Sequence, residues 1–151
     1  MKDLYEKIAA KLNSHEFMSG VERSDERIRL TAEIFTPTEL VIEILRGIPV
    51  DYLLPEKTVL DPACGDGQFL VAVKWFRMYK FNSKITAATN TLFGVDIMRD
   101  NVDLCKKRLG GGKILMGDVL SPQKRLPGQT NEEFVMMQEL FGHKVQLDLF
   151  A

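Results

Sequence analysis

The sequence predicts an α/β domain, a parallel sheet flanked by helices, with an N-terminal helical extension. Two observations predict it. Short β-rich runs recur at residues 58–61, 91–97 and 113–120, each containing an aspartate near its end, and helix-forming stretches stand between them. Strands that alternate with helices pair in parallel through right-handed crossovers. Residues 1–34 form the extension and residues 35–151 the sheet domain.

The elements follow in order. Leu4, Ile8 and Leu12 fall on one face of a first helix, and the pattern breaks within "NSHEFMSG", ending at Gly20. In "IFTPTELVIEILRGIP", Thr36 and Glu39 have capping-box spacing and Pro37 suits a first helical position. That helix is expected to reach about Arg46 and stop at Gly47. Residues 58–61 read as a buried strand and 67–80 as a helix. A strand at 91–97 leads to a helix at 99–109, stopped by Gly110, Gly111 and Gly112. "KILMGDVL" is a third strand and "TNEEFVMMQELFG" a further helix.

At 151 residues, with 45% hydrophobic and 27% charged content, the chain has the size and composition of one globular domain. No apolar run is long enough to span a bilayer, and the N-terminus lacks a signal-peptide block. Cys64 and Cys105 make no metal pattern, and a reduced, cytoplasmic setting is expected. A net charge of −1 leaves any nucleic-acid contact local or supplied by a partner.

The chemistry concentrates in "DPACGDGQFL", where a strand enters a turn holding Gly65 and Gly67 and a helix follows. Such a turn suggests a nucleotide-type site at the carboxyl ends of parallel strands. Asp61 and Asp66 flank it, and their charge disfavours a pyrophosphate, which prefers bare N–H groups. Leu70 stands where a dinucleotide turn has its third glycine, and no Lys-Ser or Lys-Thr pair makes a phosphate loop. A cationic nucleoside fits better, and S-adenosyl-L-methionine carries a sulfonium, an ammonium and a ribose diol. Asp96 and Asp118, at the ends of the next two strands, can accept from ribose hydroxyls and from an adenine amino group.

These residues resemble a known family. "DPACGDGQFL", "FGVDI" and "GDVL" look like the first, second and third motifs of adenine-specific DNA methyltransferases, and "IFTP" like their tenth. The likeness covers about residues 28–120 and implies a Rossmann-like class I methyltransferase core. It implies that Asp61 meets the methionine ammonium while Gly65 and Gly67 let the backbone approach the ligand. Asp96 would hold the ribose, Ile97 would pack on the adenine, and Asp118 would hold its amino group. Ala63 and Val119 belong to the same motifs, and Phe35 and Thr36 would close over the methionine end.

The family's catalytic motif is an Asn or Asp, two prolines and an aromatic residue after a fourth strand. It holds the amino hydrogens of a flipped adenine and gives the base an aromatic face. None of the six prolines here is adjacent to another, and Pro122 and Pro127 lack the right neighbours. No catalytic residue is therefore assigned. Methyl transfer to DNA would need a partner subunit or missing segment; otherwise the chain is a binding module.

The tail "VQLDLFA" admits two readings. Val145, Leu147 and Leu149 alternate with polar residues as in a half-buried strand. "QLDLF" also resembles the peptide by which bacterial and phage proteins dock on the replicative sliding clamp. Gln146 would then fix orientation, with Leu147 beside it, while Leu149 and Phe150 enter an apolar pocket.

Overall fold

The computed structural model describes residues 3–14 and 36–142. Helix α1 (Leu4–Leu12) is followed by α2 (Thr38–Gly47), a 3-10 turn at Val50–Tyr52 and strand β1 (Val59–Asp61). Then come α3 (Gln68–Phe81), α4 (Ile85–Thr89), β2 (Leu92–Asp96), α5 (Arg99–Leu109) and β3 (Lys113–Met116). Helix α6 (Asn131–Met137) runs on into a wider π turn at Gln138–Gly142. The tail, with both of its readings, and the rest of the N-terminal extension lie outside the described residues.

The sheet is three-stranded, in the order β1-β2-β3, and both pairings are parallel as predicted. Asp61 stands opposite Gly94, and Asp96 opposite Met116. Side chains alternate along a strand, so this register puts Asp61 and Asp96 on one face of the sheet.

Helix α3 is the spine of the core. Leu70, Val71, Ala72, Val73 and Phe76 are buried, and they pack with Ile8 and Leu12 of α1, Val41 and Leu45 of α2, and Leu109 of α5. A helix apolar on so many sides is placed inside by solvent exclusion, at about 25 cal/mol for each Å² of apolar surface removed from water. Gly94 makes the packing close: a Cβ there would stand 2.9 Å from Leu70 Cδ1 and 3.0 Å from Cys64 Sγ.

Arg77 is fully buried in this core. Its guanidinium donates to the carbonyls of Leu53, Lys57 and Ala88 and to the Thr91 hydroxyl, which itself donates to the Pro55 carbonyl. One planar fork thus gathers the loops that precede β1 and β2. Burial pulls the Arg77 pKa down, with the charge of Glu56 opposing.

Two sequence expectations are corrected. The capping box at Thr36 does not form: Pro37 is extended, at φ −60° and ψ 148°, and its carbonyl accepts the first helical bond, from Val41. The helix begins one residue later than the box requires, so Glu39 falls at the second helical position. A true capping box closes α6, where Thr130 and Glu133 bond reciprocally. The third strand stops at Met116, and the Asp118 carboxylate then turns back to the Leu120 amide at 3.0 Å.

The two edges of the sheet differ. On β3, the Met116 amide donates to Glu133 Oε2 at 2.8 Å and its carbonyl accepts from Gln129 Nε2 at 2.8 Å, so side chains stand in for a neighbouring strand. On β1, the Val59 amide donates toward β2, to Thr91, so Leu60 directs its backbone groups away from the sheet. Among the described residues no strand covers that edge. Leu60 is 44% exposed beside an apolar groove of about 140 Å³, lined by Thr58, Leu60, Phe93, Leu140 and Phe141.

The sealed edge gives a pH prediction. Burial alone would raise the Glu133 pKa, but hydrogen bonds from Arg99, the Met116 amide and Thr130 outweigh it and hold the carboxyl at about 2, against 4.5 ordinarily. A carboxyl depressed by folding adds stability above its unfolded pKa, and that stability is lost as pH falls through the folded value. Thermal melts between pH 7 and pH 2 are expected to show a steep loss below about pH 4.5, and Glu133→Gln should flatten that slope while lowering Tm at pH 7.

Candidate functional site

The site is built where β1 and β2 end. After Asp61 the chain turns through Pro62–Gly67, and the Cys64 amide donates to the Val95 carbonyl at 2.9 Å, tying the turn to β2. Gly65 and Gly67 take positive φ, 55° and 92°, a region in which side chains with a Cβ are strained. At Gly67 a Cβ would also stand 2.5 Å from Cys105 Sγ, so α5 closes on bare backbone here.

Asp96 holds the turn from the neighbouring strand. Its Oδ2 accepts the Gly65 amide at 3.0 Å, while Oδ1 accepts the Met98 amide at 2.9 Å and Asn101 Nδ2 at 3.2 Å. A carboxylate offers about four acceptor positions, so these three bonds leave room for a further donor.

Asp61 is half-buried, and its Oδ1 accepts the Ala63 amide at 3.2 Å. Desolvation raises its pKa; the Ala63 bond opposes this, and the charge of Asp96 adds to the rise. Two carboxylates close enough to feel each other, flanking a glycine turn, form a locus that favours an incoming cation.

The remaining candidates are distributed as follows. Ile97 is 48% exposed immediately beyond Asp96, an apolar surface at the strand end. Asp118 lies at the same end of the sheet, beyond β3, with β2 between it and Asp61. Val119 is half-buried and packs against a small core of Val95, Leu115 and Met137. Ala63 and Thr36 are exposed. Phe35, Gln146, Leu147, Leu149 and Phe150 lie outside the described residues.

Asp66 does not add charge to the crevice. It is only 2% exposed and pairs with Arg108, Oδ1 to Nη1 at 3.2 Å. Its negative charge is neutralised by a guanidinium from α5, a partner 42 residues away that no local signal announces. Asp61 and Asp96 are therefore the carboxylates that disfavour a diphosphate here.

Cys64 and Cys105 are free thiols, buried under the turn. A hydrogen bond with Cys105 and then burial push the Cys64 pKa up, so neither geometry nor ionisation favours reactivity. Among the described residues no cluster of His, Cys, Asp and Glu could hold a metal ion.

Sequence reasoning missed three residues of the site's support. Gln68, Arg108 and Lys74 join the turn to its surroundings, and Lys74 Nζ donates to the Arg108 carbonyl at 2.7 Å. Burial first, then the charges of Arg108 and Lys11, lower the Lys74 pKa to about 8. The isolated Gly94 in "FGVDI" was a readable sign of close backbone approach.

Residues 22–110 match the N-6 DNA Methylase family. The match contains the glycine turn and β2 and ends before β3. Comparison with solved structures gives no match. The matched span is more than half of the sequence and holds the acidic glycine turn just described, and the chain belongs to the N-6 DNA methylase family.

Proposed function

We propose that the chain is the S-adenosyl-L-methionine-binding part of an adenine-specific DNA methyltransferase, acting on DNA when a partner or a further segment supplies the catalytic motif. The observation that carries this reading is the convergence of Asp61 and Asp96 on the Gly65–Gly67 turn. Asp61 suits an ammonium, and the spare acceptor position of Asp96 suits a ribose hydroxyl. Half-buried Gly65 leaves the backbone open to close approach, whereas the space beside Gly67 is taken by Cys105, and exposed Ile97 offers an apolar face to an adenine. Asp118 fits the adenine amino group, and Phe35 and Thr36 fit the methionine end.

When bound, the donor supplies an electrophilic methyl group on a sulfonium. The residues of this chain bind and orient it. Adenine's exocyclic nitrogen is a poor nucleophile, because its lone pair is delocalised into the ring. The groups that accept its hydrogens and stack on the base must come from elsewhere, since the sequence has no adjacent prolines.

Among the described residues the edge of β1 is uncovered, and that supports this arrangement. The family's catalytic motif follows a strand, and the groove of Thr58, Leu60, Phe93, Leu140 and Phe141 suits an added strand with one apolar side chain seated in it. The test is transfer of labelled methyl to DNA adenine. It is expected to be absent with the chain alone and to appear when a polypeptide bearing the Asn/Asp-Pro-Pro-aromatic motif is added. No transfer with any such partner would refute the reading.

A second reading is a catalytically inactive module tethered to the replication sliding clamp. The five-residue match of "QLDLF" at 146–150 favours it, and a cytoplasmic setting in a bacterial or phage-infected cell goes with it. Clamp capture that is lost with Leu149→Ala and Phe150→Ala, without methyl transfer under any condition, would select this reading. Among the described residues no helix is long and apolar enough to cross a membrane.

A further inference from the structure

Gln68, the first residue of α3, bridges two parts of the site that are far apart in sequence. Its Nε2 donates to the Thr38 hydroxyl at 3.1 Å, at the start of α2, and its Oε1 accepts from Arg108 Nη2 at 2.7 Å. Arg108 is itself bound to Asp66 of the glycine turn, through both the carboxylate and the carbonyl, at 3.2 Å each. Thr38 is 9% exposed, and its hydroxyl donates onward to Asn13 Oδ1 at 2.7 Å. An unbroken polar chain thus runs from the end of α1 through the start of α2 to the turn.

The chemistry of this bridge calls for an amide. The Thr38 proton is spent on Asn13, so Thr38 can only accept, and its partner must donate. Arg108 has only donors, so its partner must accept. Glutamine meets both needs at one side-chain end. Glutamate would satisfy Arg108 but not Thr38, lysine the reverse, and leucine neither.

We propose that Gln68 is a positioning residue: it sets the spacing between the Thr36–Pro37 segment and the glycine turn, and so orients the methionine half of the donor. This rests on the reading of the crevice as a donor site. Thr36 and Pro37 directly precede Thr38, on the side assigned to the methionine end, whereas Asp96 and Ile97 belong to the adenosine side. Loosening the bridge should therefore affect one half of the ligand and spare the other.

The test is calorimetric titration of wild type, Gln68→Leu and Thr38→Val with two probes. S-adenosylmethionine carries the methionine group, and 5′-methylthioadenosine lacks the amino-acid portion. Both variants are expected to bind S-adenosylmethionine about tenfold more weakly and 5′-methylthioadenosine within about twofold of wild type. Thr38→Val removes the same bond while leaving Gln68 and Arg108 in place, so it answers the question should Gln68→Leu fail to fold. Equal weakening for both probes, or none, in the folded variants overturns the inference. Wild type that binds neither probe refutes the donor-site reading itself, which is a separate result.

Discussion

Asp96→Ala is expected to weaken S-adenosylmethionine binding by about 10- to 100-fold, or about 1.4–2.8 kcal/mol. The effect has two sources. The first is loss of the acceptor proposed for the ribose diol. The second is the Gly65 amide, which Asp96 now accepts at 3.0 Å and which would be left without that partner. The turn should then sample other conformations, and some binding energy would go into restoring it. Asp96→Asn removes the charge and keeps one acceptor, which can serve Gly65 or the Met98 and Asn101 donors but not both, so it is expected to fall between wild type and Asp96→Ala. Titration calorimetry with both variants measures the loss of affinity, and hydrogen exchange at the Gly65 amide reports how much of it accompanies loosening of the turn. Unchanged affinity in Asp96→Ala would remove Asp96 from the site.

Arg77→Ala should cost the fold about 3–5 kcal/mol, read as a shift in urea midpoint. The magnitude follows from what the side chain leaves behind. Three backbone carbonyls and the Thr91 hydroxyl lose a shared donor inside a dry core, and each buried acceptor left unsatisfied costs about 1–3 kcal/mol before water re-enters. A chain of this length should melt about 10 °C lower. Lysine places a single ammonium where a planar fork reached four acceptors, so Arg77→Lys should recover only a minority of the loss. A change under about 1 kcal/mol in Arg77→Ala would mean that the loops before β1 and β2 are held by other contacts.

The elements around the turn were legible because their signals are local. An apolar run ending in aspartate, a glycine turn, and a three-glycine stop after Leu109 each act within a few residues, and β1, α3, β2 and α5 lie where those signals put them. The parallel pairing followed from alternation alone. The same local logic failed at Thr36, where threonine and glutamate stand three apart but Pro37 remains extended and shifts the helix start by one residue. It went unread at Thr130, where the identical spacing does form a capping box.

Long-range pairing was not legible. Asp66 reads as a surface acid in a polar turn, yet Arg108 from α5 neutralises it in the interior. Arg77 stands in the middle of a helix, yet its carbonyl partners are Leu53 and Lys57 in the segment before β1 and Ala88 within α4. Nothing in the residue types records which charged side chain will find an acceptor brought near by the chain's crossovers. For the same reason the Gln68 bridge could only be seen once α2, α3 and α5 were placed together.

Direct titration of the folded chain with S-adenosylmethionine and, separately, with NAD bears most directly on the proposition that a pair of carboxylates around bare backbone selects a positively charged nucleoside over a phosphorylated one. Saturable binding of the methyl donor with no detectable heat from NAD is the predicted result. NAD binding as tightly as the donor, or a folded chain that takes up no donor at all, would contradict it.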